Sequence, residues 1–437
     1  MKIKPFFLLV ALSVFVYSCK DETTSSSPSG RSSDNKELAK TTTVSEMPRS
    51  PKRGVSFNIT NLNDAFLLSN CISWYYNWGN SNLSDDANTW LDACDIDFCP
   101  MCWSGSYNPE RIRNFVKAHP NTKYLLGFNE PNLTDQANMT PSKAAELWPA
   151  VVALAKELNL KLGAPAMNYG TLSGYSDPIK WLDEFFRQPG VSIDDIYCIP
   201  IHCYMMSPAA VQGYVEKFYK YNKPIWMTEF CAWESISNVE TQKQYMSAVI
   251  NYFEANPKVE RYAWFMPRMS GSLNSKPYNQ LLTKGETIEW TPLGEIFNGL
   301  SSQDKSVCIN ASGRIPAHWY TEFSTTSPTV LNSTDTLNGE KNKLMIYNFA
   351  ADRYVQYQVH ATTAKSKLQI RYATVVETQM AVNIDGEPVQ VITLPSTGSM
   401  NNWDTFTVKN ISLSGKHYVR FDVLSGAINF SWFRFND

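Results

Sequence analysis

At 437 residues the chain is too long for one small domain, and 43% hydrophobic, 13% aromatic and 18% charged residues exclude a wholly disordered one. Lys plus Arg total 39 against 41 Asp plus Glu, so no basic excess favours nucleic acid or another polyphosphate. The 13 Trp, 22 Tyr and 22 Phe supply flat rings with polar edges, a surplus suited to binding sugar faces.

Residues 1–19 carry Lys2 and Lys4, then an apolar run from Phe6 to Tyr17, then Ser18 and Cys19. The run is shorter than the roughly 20 residues a membrane span needs, so it predicts a secretory leader. A small residue before Cys19 resembles a bacterial lipoprotein signal, which makes Cys19 the expected lipidated terminus. Lys20-Asp21-Glu22 resembles the export signal of surface lipoproteins in Bacteroidota, so outer-membrane display, anchored only through that lipid, is expected. Residues 20–50 are Ser/Thr-rich with few large apolar side chains, which predicts a disordered tether.

After Pro51, eight short apolar runs follow at 54–58, 72–78, 97–103, 124–131, 161–168, 196–204, 224–230 and 261–267, separated by stretches of helical periodicity. Among these, Thr140 and Pro141 mark a helix start, and Pro149 predicts a kink inside that helix. Near-continuous apolar strands alternating with helices imply a parallel sheet, and eight units predict a (β/α)8 TIM barrel over 51–303. An open doubly wound sheet is the alternative, but no strand is followed by GxGxxG or GxxxxGK[ST].

Chemistry on such a scaffold sits where strands end. The fourth run closes on Glu130 within GFNEPN and the seventh on Glu229 within WMTEF. Strands three apart around an eight-strand ring aim two carboxylates into one cleft, which suits glycoside hydrolysis. Glu130 is expected to hold its proton and Glu229 to remain ionised. Trp74, Trp78, Trp103, His202, Tyr204, Trp233 and Trp264 are the candidate sugar bed, with Asn129 beside Glu130. Only His202 of the five His lies on a barrel strand, so no metal is expected, and no cofactor is implied. Lys123, Lys161 and Lys223 sit at strand beginnings, which argues against Schiff-base chemistry. Cys99 and Cys102 lie three apart on one strand and should point to opposite faces rather than share a ligand. No disulfide pairing is assigned to the eight Cys that remain beyond Cys19.

The set RGVSFN, SWYYNW, FCPMCW, LLGFNEPN, LGAPAMN and WMTEF, over about residues 52–300, resembles glycoside hydrolase family 128 of clan A. The resemblance implies a retaining, endo-acting β-1,3-glucanase with Glu130 as acid/base, Glu229 as nucleophile and Asn129 holding the sugar 2-hydroxyl. A non-catalytic glycan-binding surface lipoprotein is the competing class, and another β-glucan the competing substrate. A monomer is expected.

After about Ser306 helical periods give way to short alternating runs, which predict a β-sandwich, jelly-roll-like, over 307–437. RIPAHWY, TGSMNNWDTF and GAINFSWFRF resemble family 6 carbohydrate-binding modules. The match departs at Met400, where that family has a stacking Trp, and at His318, where it has an acidic residue that serves a calcium. Trp403 keeps the second, structural Trp place. Asn429 matches the family's ligand-binding Asn.

Overall fold

The computed structural model describes residues 29–437 apart from 234–235, 237, 272–275, 338–339 and 342. The leader and Cys19 lie outside the described residues. The chain enters through helix α1 (Ser29–Lys40) and strand β1 (Thr42–Val44). This differs from the tether expected over 20–50. Thr42, Thr43 and Val44 pair in parallel with Val307, Cys308 and Ile309, so backbone hydrogen bonds order a segment whose side chains are mostly polar. Arg49 then donates to the carbonyls of Ser69 and Cys94, fixing the entry to the α/β domain.

That domain alternates strands and helices: β2 (Arg53–Ser56), α2 (Leu62–Leu68), β3 (Trp74–Tyr76), α3 (Asp85–Ala93), β4 (Asp97–Phe98), α4 (Pro109–Ala118), β5 (Tyr124–Leu125), α5 (Pro141–Glu157) and β6 (Lys161–Leu162). It continues through α6 (Pro178–Phe186), β7 (Ile199–Cys203), α7 (Pro208–Glu216), β8 (Ile225–Phe230), α8 (Val239–Ala255), β9 (Val259–Trp264) and α9 (Pro292–Gly299). All eight expected strands are present. They pair in the order β4-β3-β2-β9-β8-β7, with β5 beside β6. Parallel bridges Met101–Leu126, Asn129–Ala166, Gly163–Cys198 and Met167–Ile201 join the remaining neighbours.

Helix starts are locally encoded. Thr140 accepts from the Lys143 amide and Pro141 takes the first turn, where its missing N–H costs nothing. The helix continues through Pro149 to Glu157. Inward side chains of the strands form their own cluster, including Trp74, Tyr76, Cys99, Leu126, Cys198 and Trp226, separate from the larger core between strands and helices. Just beyond β4, Cys99 falls in the inner cluster and Cys102 in the outer one, so the two point to opposite sides. All eight described Cys are free thiols.

The C-terminal domain is all-β and, apart from the parallel pairings of its first strand, antiparallel. It starts at β10 (Val307–Asn310), and its main path runs Thr329–Asn332, Leu344–Ala350, Ala427–Asn436, Arg353–Thr374, Ser399–Ser425, Thr378–Ile384, Glu387–Leu394. Helix α8 docks on it: Ser247 Oγ accepts from the Val330 amide at 2.8 Å, and Asn251 Nδ2 donates to the Pro328 carbonyl at 3.0 Å. No helix among the described residues is long and apolar enough to cross a membrane.

Candidate active site

Glu130 and Glu229 converge. One carboxylate oxygen of each and a ring nitrogen of His202 lie within 4.8 Å of one another, and all three residues are buried. The Glu130 amide donates to the Ala166 carbonyl at 3.0 Å, and its φ of 44° puts a non-glycine residue in the left-handed region. Such a conformation persists only where the surroundings impose it. Trp78, at the end of the strand-three segment, shares it with φ of 61°.

Glu229 is held by donors. Its Oε1 accepts from the Tyr76 hydroxyl and from Trp78 Nε1, both at 2.7 Å, and its Oε2 accepts from the Tyr204 hydroxyl. Glu130 Oε1 accepts from Asn168 Nδ2 at 2.7 Å and faces His202 Nδ1 at 2.6 Å. His202 Nδ1 also stands 3.4 Å from Glu229 Oε2.

Burial alone would lower the His202 imidazole, but the facing Glu229 and Glu130 carboxylates outweigh it and hold it above its ordinary value. Burial would raise Glu130; the charge and hydrogen bond of His202, with Asn168, outweigh it and hold that carboxyl below the usual range. Burial, aided by the Glu130 charge, keeps Glu229 above the usual range against the pull of His202, Tyr204 and Trp78. The sequence expectation put the proton on Glu130 itself; these shifts favour an ionised Glu130 with the proton one hydrogen bond away on His202, which lies closer to Glu130 than to Glu229.

A cleft of about 1010 Å³ opens over the pair, lined by Trp78, Trp103, Asn129, Tyr204, Trp233 and Phe265 among others. Asn129 Nδ2 donates to Gln136 Oε1 at 3.1 Å. Trp103, Asn129, Tyr204 and Trp233 therefore sit where sequence placed them, and His202 lies beneath the cleft between the carboxylates. Two expected sugar-bed residues do not. Trp74 is fully buried at the strand beginning, its Nε1 donating to the Lys52 carbonyl at 2.9 Å and its ring packed on Trp226. Trp264 is fully buried with Nε1 on the Asn279 carbonyl at 2.8 Å; Phe265, one residue on, lines the cleft instead, because successive strand side chains alternate faces.

Sequence reasoning passed over Tyr76 and Asn168. Tyr76 shares the face of Trp74 and Trp78, at i+2 between them, and Asn168 closes the fifth apolar run, the same strand-end signal that marked Glu130. The three central residues offer one ligand atom each to a cation. The O–H and N–H donors of Tyr76, Trp78, Tyr204 and Asn168 already point at both carboxylates, however, which is an environment for holding anions.

In the C-terminal domain Asn429 is 1% exposed and uses both ends of its amide internally: Oδ1 accepts from the Asn348 amide at 2.9 Å and Nδ2 donates to the Met400 carbonyl at 2.8 Å. The expected ligand residue thus ties neighbouring strands together. Burial pushes the His318 imidazole down to about 3.

Residues 54–297 match the family described as glycosyl hydrolase catalytic core. The solved endo-beta-1,3-glucanase of GH128 subgroup II from Pseudomonas viridiflava is 34% identical, covers 58% of this chain and 98% of its own, and has a TM-score of 0.52. Its counterpart from Sorangium cellulosum is 30% identical over 57% of this chain and 99% of its own, with a TM-score of 0.51. Alkali-sensitive linkage protein 1 of Schizosaccharomyces pombe is 26% identical over 242 residues, 52% of this chain and 40% of that relative, so the chain spans well under half of its length. Residues 330–435 match carbohydrate binding module (family 35), which corrects the expected likeness to family 6.

Proposed function

The chain belongs to the family of glycosyl hydrolase catalytic cores and is a glycoside hydrolase; from that premise we propose that it cleaves β-1,3-linked glucan inside the chain, with retention of anomeric configuration. The observation that carries this reading is the meeting of Glu130 and Glu229 within 4.8 Å beneath an aromatic cleft. Retaining glycosidases keep their carboxyl groups about 5–5.5 Å apart, whereas inverting ones leave roughly 6.5–9.5 Å for a water. The solved relatives' endo-beta-1,3-glucanase activity supports the linkage. The strand pairings described above support the (β/α)8 barrel, with both carboxylates at the ends of its strands.

In the first half-reaction Glu229 attacks the anomeric carbon, its charge positioned by Tyr76, Trp78 and Tyr204. The proton for the leaving oxygen comes from the 2.6 Å contact between Glu130 and His202: transfer from Nδ1 to Glu130 Oε1 leaves a neutral imidazole and an acid. In the second half-reaction Glu130 takes a proton from water, which opens the glycosyl-enzyme ester. Secretion by the leader and anchoring at Cys19 complete the proposal, supported by residues 1–22 of the sequence. Loss of lipid incorporation in Cys19→Ala checks that part.

The test is to incubate the purified protein and Glu229→Gln with laminarin, curdlan, mixed-linkage glucan and xylan. The native protein should release reducing ends from the first two. Glu229→Gln should release none yet bind laminarioligosaccharide. Preferential cleavage of xylan, or turnover by Glu229→Gln, overturns the reading.

A further inference from the structure

A second cleft, of about 470 Å³, lies between the C-terminal domain and the barrel. Arg53, which lines it, begins β2, and Cys71 lies in the turn leading into β3, so it opens at the end of the barrel opposite Glu130 and Glu229. Its walls come from both domains and from the entering segment 46–50.

Three features suit a sugar. First, five of the six half-buried Trp line the two clefts: Trp78, Trp103 and Trp233 the catalytic one, and Trp290 and Trp319, one from each domain, this one, while Trp403 lies at neither. Partly exposed indole faces are the surface on which pyranose C–H groups stack. Second, two lining side chains have a buried polar atom with no partner: Nε1 of Trp432 and Nδ1 of His318, residues 2% and 8% exposed. Such orphans are rare and call for an occupant. His318 is uncharged near neutrality, since burial pushes it down to about 3. One orphan is therefore an N–H donor and the other an imidazole nitrogen able to accept, and a hydroxyl is the group that both accepts and donates. Third, the charged lining residues carry both signs, Glu46 and Glu295 with Arg49, Arg53, Arg314 and Lys343, and two of the cations are already engaged, Arg53 by Glu254 and Arg49 by the Ser69 and Cys94 carbonyls.

We propose that this junction cleft is a second oligosaccharide-binding site, which takes a neutral, hydroxyl-bearing chain by stacking on Trp290 and Trp319 and by hydroxyl bonds to His318 and Trp432. It does not depend on the catalytic pair. Facing away from the cleft where bonds break, it holds polysaccharide near the enzyme without entering the reaction.

The test is calorimetric titration of full-length Glu229→Gln with laminarihexaose, and in parallel with cellohexaose and xylohexaose. Two binding events are expected for at least one hexaose. Adding Trp319→Ala or Trp290→Ala should weaken one event about tenfold or more and leave the other intact. In a background that keeps Glu229, Trp319→Ala should leave turnover of laminarihexaose unchanged. His318→Leu, a milder change with its own check by circular dichroism, should have the same selective effect. A single event for every hexaose, abolished by Trp233→Ala, overturns the site. So do two events that Trp319→Ala and His318→Leu both leave unchanged. Loss of the catalytic-cleft event alone counts against the proposed function and not against this site.

Discussion

His202 Nδ1 lies 2.6 Å from Glu130 Oε1, so a fully buried imidazole shares a hydrogen bond with the expected acid of the reaction. Its folded value is raised above that of the unfolded chain. The stability it contributes is therefore complete at pH below 6.5, the ordinary imidazole value, and is lost as pH rises through the raised one. Thermal melts across that window should show the native protein losing stability with rising pH and His202→Asn losing less. The alkaline limb of kcat should also move in His202→Asn, since the proton store next to Glu130 is gone.

Asn168 donates to the same Glu130 oxygen at 2.7 Å. A hydrogen bond to a charged group contributes roughly 1.5–3 kcal/mol, or about 10- to 100-fold in rate if it acts in the transition state. Asn168→Ala should lower kcat by that order while KM changes little, as read by steady-state kinetics on laminarihexaose. A change confined to KM would place Asn168 in substrate binding instead.

Two tryptophans at or just beyond the last two parallel strands of the α/β domain separate stability from affinity. Trp264 is fully buried and Trp233 lines the cleft. Trp264→Ala should cost roughly 3–5 kcal/mol of stability, visible in Tm and in denaturant midpoint. Trp233→Ala should raise KM for oligosaccharide several-fold and leave Tm nearly unchanged.

Asn429 ties two strands together through Asn348 and Met400. Asn429→Ala leaves an amide and a carbonyl short of a partner, at a cost of about 1–3 kcal/mol each when buried. The melting temperature should fall while affinity for laminarihexaose stays the same.

What was legible in the chain follows from which signals are local. The eight strands, the cap at Thr140 and the two carboxylates are written in runs and their closing residues, and the coordinates return them. Depth along a strand is not written there: Trp74, Tyr76 and Trp78 share a face, yet Trp74 packs at the strand beginning while Tyr76 and Trp78 reach Glu229. Phase is a further blind spot, since a one-residue offset exchanges Trp264 for Phe265 at the cleft. The order of residues 29–50 is not legible locally because it comes from pairing of 42–44 with 307–309 and from three scattered apolar side chains, Leu38, Val44 and Met47, that are buried or pack on the core. The place of His202 is not written in the chain either: only the fold sets its Nδ1 at 2.6 Å from Glu130 and 3.4 Å from Glu229, beside the expected acid.

The most direct check of the central claim is proton NMR of the anomer released in the first moments of laminarihexaose hydrolysis. With Glu229 as nucleophile and Glu130 as acid and then base, the β-anomer should appear first and mutarotate to the α-anomer. Early appearance of the α-anomer, or no new reducing end at all, would contradict the account.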